Sequence, residues 1–305
     1  ATAADMFAPF AAEAAQSLVA ILRTANASAG GAPVGAASPL LTPAVLAACL
    51  DAAGAVIASA WADPSFQAQK EAADGQELAS IARTVLLDTR APSEAKAAAH
   101  SFYAQMALAT FEEFAPTLEA VLPSALEALR APESGEAVKQ GRRRAVRTGS
   151  HEERLAATEA IGTYVAAVGG RFAPHLPNAL PALCGQVKHA DPDIRAETAN
   201  ALSKVGRVLG DLAGGLPEGH GDRQAATSLA EAVARGLCDI LAEDGSAPLR
   251  CVLQAKEDLE GNPGFVSLAG PAFAALAAAA GTRRSEDVED SDADSFADED
   301  DEDDW

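Results

Sequence analysis

Residues 190–202 read ADPDIRAETANAL, and the meaning of this stretch decides the fold. Asp191 and Asp193 stand on either side of Pro192, and spaced carboxylates are one start of a divalent-cation site. A magnesium or calcium ion wants about six oxygen ligands, and no glycine-bearing calcium loop surrounds the pair. The same residues suit the corner between two packed helices. An aspartate just before a helix caps its orphan N–H groups, and a proline in the first turn is tolerated. Ile194, Ala199 and Leu202 then recur at helical spacing as a buried stripe. The corner reading makes IRAETANALSKVGRVLG the first helix of a new unit.

Working outward, the tripeptide FAP recurs at 7–9, 114–116 and 172–174. Two copies extend further: FAPTLEAVLPSALEAL from Phe114 and FAPHLPNALPALCGQV from Phe172. Leu118 matches Leu176, Leu122-Pro123 matches Leu180-Pro181, and Leu126 falls near Leu183. Each is one amphipathic helix, and the inner proline of each is expected to kink or restart it. Each copy follows another helical run, AKAAAHSFYAQMALATFEE or HEERLAATEAIGTYVAAVGG, the second stopped by Gly169-Gly170. The small face Ala156, Ala157, Ala160, Ile161 permits close helix approach. A helix, a tight turn and an antiparallel helix cannot bury their apolar faces alone, but stacked neighbours can, so the expected fold is an all-α α-solenoid.

Composition agrees. The chain has 305 residues, 49% hydrophobic but only 5% aromatic, which favours close-packed helices over β-sandwiches. Net charge is −21, and residues 285–305 hold 13 of the 44 acids and no base, leaving 31 acids against 23 bases elsewhere. Nucleic acid is therefore not expected as a direct partner, and a basic protein is. Cys49, Cys184, Cys238 and Cys251 form no Cys-x-x-Cys pair and read as reduced structural thiols. The first 23 residues carry Asp5 and Glu13 with no early basic region, so no signal peptide is expected. The uncharged stretch 264–281 contains Pro271 and is read as a buried helix rather than a membrane span. The expected organisation is a helical solenoid over 1–284, with loops near 25–39, 131–150 and 213–223, and a disordered acidic segment over 285–305.

Phe-x-Pro-x-Leu opening one helix, Asp-Pro-x-Ile-Arg opening the next unit and Ala-x-x-Ala-Leu after it together resemble a HEAT repeat. Residues 146–183, VRTGSHEERLAATEAIGTYVAAVGGRFAPHLPNALPAL, resemble the middle of importin-β (karyopherin-β) nuclear transport receptors of the importin-4 and importin-5 kind. HSFYAQMALATFEEFAPTLEAVLP (100–123) resembles the preceding unit of that family. The resemblance covers about 93–210. It departs at 131–150, which is basic where such receptors often carry an acidic linker.

The resemblance implies a transport receptor that captures basic cargo such as histones or ribosomal proteins, with nucleoporins and the GTPase Ran as further partners. It implies a monomer shuttling between cytoplasm and nucleus, and a central fragment or shortened relative without the repeats that bind Ran. It gives Arg195 and Asp191 a structural role in a ladder between repeats. It makes 285–305 an acidic insert, with Glu286, Asp287, Glu289, Asp290, Asp298, Glu299, Asp300, Asp301, Glu302, Asp303 and Asp304 as cargo-attracting groups. A HEAT-repeat scaffold subunit of a multiprotein complex is the alternative.

No catalytic constellation, cofactor site or metal site is expected. His151-Glu152 invites comparison with HEAT-type diiron hydroxylases, but His100, His175, His189 and His220 are not followed by Glu, and a diiron site needs several such ligands. The simpler reading is a helix start with Ser150 as cap and Glu153 three residues on. GGLPEGHGD (214–222) follows a helix, not a strand, and reads as a loop. ANASAGGAPVGAASP (25–39) reads as a flexible insert. Lys139, Arg142, Arg143, Arg144 and Arg147 form a basic cluster for which a localisation signal, pairing with the acidic tail, and a solvated loop all stay open.

Overall fold

The computed structural model describes residues 13–14, 16–21, 42–60, 73–132, 149–214, 221–243 and 245–294. Among the described residues the regular structure is entirely helical. The chain divides into two compact units, Ala1–Gln186 and Val187–Trp305.

The first unit holds α1 (Pro43–Ala60), α2 (Ala73–Leu87), α3 (Ser93–Thr110), α4 (Ala115–Arg130), α5 (Gly149–Val168) and α6 (Leu176–Cys184). The odd-numbered helices pack side by side, α1 on α3 and α3 on α5, and α2, α4 and α6 form the other layer. This is the two-layer stack of antiparallel pairs expected from the repeat. Its core is built from the recurring positions: Leu118, Leu122 and Leu126 of α4, and Leu176, Leu180 and Leu183 of α6, are all buried. So are Ala157, Ala160 and Ile161 of α5, while Ala156 is half-buried.

Phe114 and Phe172 are buried, but neither opens an α-helix. Each lies in a 3-10 turn, Phe111–Phe114 or Gly169–His175. The tighter turn drops each ring into the interior before the α-helix begins. There Phe114 stacks on Tyr164 of α5 at 5.1 Å between centroids and approaches Tyr103 of α3 at 6.5 Å.

Pro123 and Pro181 do not restart their helices: α4 and α6 run through them. Both prolines are exposed, as are the residues four positions earlier, Glu119 and Pro177. The carbonyl that loses its donor therefore belongs to a residue on the wet face, where water can reach it.

The second unit repeats the plan with α7 (Pro192–Ala213), α8 (Gly221–Leu241), α9 (Ser246–Glu260) and α10 (Pro263–Asp294). Here α7 packs on α9 and α8 on α10. The corner at 190–202 forms as read: Asp191 is the N-cap of α7, its Oδ1 accepting the Asp193 N–H at 2.7 Å, with Pro192 in the first turn. Ile194, Ala199 and Leu202 are fully buried. Asp191→Ala should lower stability by about 1 kcal/mol while Asp191→Asn keeps most of it. Urea unfolding of the two variants tests this, and equal loss in both would contradict a capping role.

Helix α10 holds the uncharged stretch. Pro263–Arg283 is long and apolar enough to cross a membrane by length and composition, with 33% of its most apolar window buried. It is broken at Gly270, which takes φ 43° and ψ −117° just before Pro271. Phe265, Leu268, Ala269, Phe273, Leu276 and Ala280 are buried. The helical backbone continues through Asp294, ten residues into the segment expected to be disordered. Extending an existing helix adds one hydrogen bond per residue fixed and needs no new nucleus. Residues 295–305 lie outside the described residues, as do the first FAP motif, 25–39, the basic cluster Lys139–Arg147 and 215–220 with His220.

Candidate functional site

The residues singled out from the sequence fall in three places. Asp191 and Arg195 meet at the start of α7. The Arg195 guanidinium, almost wholly buried, donates through Nη1 to the carbonyls of His189 at 2.7 Å and Ala190 at 3.2 Å. His189 in turn accepts the Asp191 N–H on Nδ1 at 3.0 Å. Arg195 thus clamps the corner that Asp191 caps. Gly245, the N-cap of α9, lies beside it, and a Cβ there would stand 3.2 Å from Arg195 Nη2. Of the acidic segment, Glu286, Asp287, Glu289 and Asp290 ride on the backbone of α10, and 298–304 lie outside the described residues.

His151 stands in the first turn of α5, half-buried. That helix starts at Gly149, so Ser150 is inside it and is not its cap. Glu153 reaches across to Lys96 of α3 at 3.9 Å; a tertiary partner takes the carboxylate that a capping box would use. Among the described residues no three of His, Cys, Asp or Glu converge as metal ligands do. None of the four cysteines forms a disulfide, and burial pushes the Cys49, Cys238 and Cys251 thiols up from their ordinary value. Thiols held protonated are poor nucleophiles.

Three features had no motif to announce them. First, arginines and a glutamine meet the carbonyl ends of helices. Arg154, buried, donates to the Ala131 carbonyl just past α4, and Gln186 Nε2 donates to Leu129 at 2.8 Å. Arg223 reaches Ala213 of α7 at 3.4 Å, and Arg283 reaches Leu241 of α8 at 3.2 Å. Cations placed there complement the negative end of the helix dipole. Second, His100 on α3 is fully buried, and neither ring nitrogen has a hydrogen-bond partner among the described residues. Burial, with Lys96 nearby, lowers its pKa to about 4.

Third, the turn that ends α3 carries an exposed aromatic on strained backbone. Phe111 takes φ 49°, ψ −126° and is the one non-glycine residue at positive φ among the described residues. A bulky residue there costs about 1–3 kcal/mol. The FAP register sets Phe111 opposite Gly169, which takes φ 55° at the end of α5. The aromatic was legible in that alignment as a phenylalanine where the partner repeat has glycine; its exposure was not.

Residues 151–205 match the model of the HEAT-like repeat family. The match runs from the first turn of α5 through α6 and the Asp191 corner into α7, the stretch where the pair, the tight turn and the capped corner succeed one another. With helices stacked in two layers in each unit, the architecture is that of a HEAT-repeat protein. No curated protein matches the chain.

Proposed function

We propose that this chain is a non-enzymatic HEAT-repeat receptor for a basic protein partner, of the importin-β transport type. What carries the reading is acid excess on a helical-repeat fold: −21 net, with 13 acids in residues 285–305, on a chain with a HEAT-like match at 151–205. Helical repeats offer extended surfaces suited to protein capture. A dense run of carboxylates attracts basic proteins over about a Debye length and raises their association rate. The resemblance adds histones or ribosomal proteins as cargo, nucleoporins and Ran as further partners, and shuttling between cytoplasm and nucleus. The coarser reading, a helical-repeat scaffold, rests on the HEAT-like match alone.

The test is binding of purified core histones at about 50 and 150 mM salt. It compares the native chain with one whose acids at 298–304 are changed to Asn and Gln. The native chain should bind, with affinity falling steeply as salt rises, and the neutralised chain should bind about tenfold or more weakly at the lower salt. Equal binding by both would remove the acidic segment from the mechanism. No binding by either would leave the scaffold reading.

A further inference from the structure

We propose that Phe111 and Leu108, at the end of α3, form an apolar anchor point for the basic partner, gripping an apolar side chain within a lysine- and arginine-rich segment. The inference rests on the receptor reading and adds a location to it.

Phe111 is 61% exposed and Leu108 46%, two of the few large apolar side chains left in water among the described residues. They stand within one turn of each other where α3 gives way to the 3-10 turn. The partner repeat shows what the fold itself requires there. The FAP register pairs Phe111 with Gly169 and Leu108 with Ala166, and Ala166 is exposed too. Gly270, three residues before the buried Phe273, meets nearly the same backbone angles with a glycine. Glycine reaches this conformation without the steric penalty that a Cβ brings. The fold is thus served by a glycine at such turns, yet one of them carries a phenylalanine that faces solvent. Backbone strain and an exposed aromatic at one residue mark a functional contact more readily than a packing one, and aromatics dominate the energetics of protein interfaces.

The charge around the pair selects the partner. Glu112 and Glu113 follow Phe111 directly and are exposed, and Glu119 is exposed on the next helix. Arg171 reaches Glu112 at 3.1 Å and holds part of that charge; its Nη1 also donates to the Glu112 carbonyl at 3.2 Å. An apolar side chain flanked by lysine or arginine satisfies both parts of this surface, whereas an acidic segment is repelled.

The decisive variant is Phe111→Gly, which supplies the residue the backbone prefers. Its thermal midpoint should hold or rise. Its affinity for core histones should fall about tenfold, as expected of an anchor residue, while binding of poly-lysine, which offers charge alone, stays unchanged. Leu108→Ser should weaken histone binding in the same sense without touching the strained turn. Histone binding by Phe111→Gly equal to that of the native chain overturns the anchor and leaves the receptor reading intact. A falling thermal midpoint also overturns it, because Phe111 would then be held by packing. A native chain that binds neither probe takes down the receptor reading and the anchor with it.

Discussion

Gly264→Ala should unfold the second unit at far lower denaturant than the native chain, although alanine is the better helix former. An added Cβ would stand 2.1 Å from the Gly210 carbonyl oxygen, 2.8 Å from its carbon and 3.2 Å from its Cα. These are backbone atoms, so no rotamer change relieves the clash, and α10 must move off α7. Gly210 meets the same contact from the other side: its Cβ would fall 2.2 Å from Asn262 Oδ1 and 2.6 Å from the Phe265 nitrogen. Gly206, one turn earlier, faces Leu259 and Phe265. Asn262 spans the crossing, donating to Asp211 Oδ1 at 2.9 Å and accepting the Phe265 N–H at 3.0 Å.

The gain in helix propensity from glycine to alanine is about 1 kcal/mol. Overpacking a tight core costs about 1–3 kcal/mol and occasionally more. With backbone on both sides of the contact the loss should reach roughly 3 kcal/mol or more, and the steric term wins. Gly281→Ala is the control: nothing lies within 4 Å of its added Cβ, so it should be neutral or stabilising. Urea unfolding of the two variants decides, and a Gly264→Ala chain as stable as Gly281→Ala would mean that the crossing is loose.

The second large effect is on pH. His100 has a folded pKa of about 4 against 6.5 unfolded, so the unfolded state binds the proton more readily. Its contribution is fully present above about pH 6.5 and is lost as pH falls toward 4. Across that window the native chain should lose about 1 kcal/mol per pH unit more than a His100→Leu variant. The leucine variant should also be more stable at pH 7, by about 1–3 kcal/mol, because it removes two buried nitrogens that have no hydrogen-bond partner among the described residues. Unfolding midpoints at pH 7.0, 5.5 and 4.5 check both. Parallel pH profiles for the two chains would show that His100 reaches water or a proton acceptor.

Some of this was legible before any coordinates. The FAP register, the leucines three and four apart and the Asp191-Pro192 corner are local features. Their meaning follows from helix periodicity and from the N–H groups every helix leaves unpaired at its start. That suffices for an all-α stack of paired helices and for the cap at Asp191. The sequence by itself also set the acid excess and its concentration near residue 305, on which the receptor reading depends.

Tertiary structure decided what depends on neighbours distant in sequence. Pro123 and Pro181 stay within continuous helices because their faces are wet, and wetness is a property of packing. Glu153 pairs with Lys96 rather than with its own helix start because α3 lies beside α5. Gly206, Gly210 and Gly264 read as ordinary glycines until α7 and α10 cross. Phe111 reads as one more apolar residue until its turn exposes it and leaves its backbone where glycine belongs. Periodicity tells which face of a helix is buried; only the fold tells what it is buried against, and what is left outside.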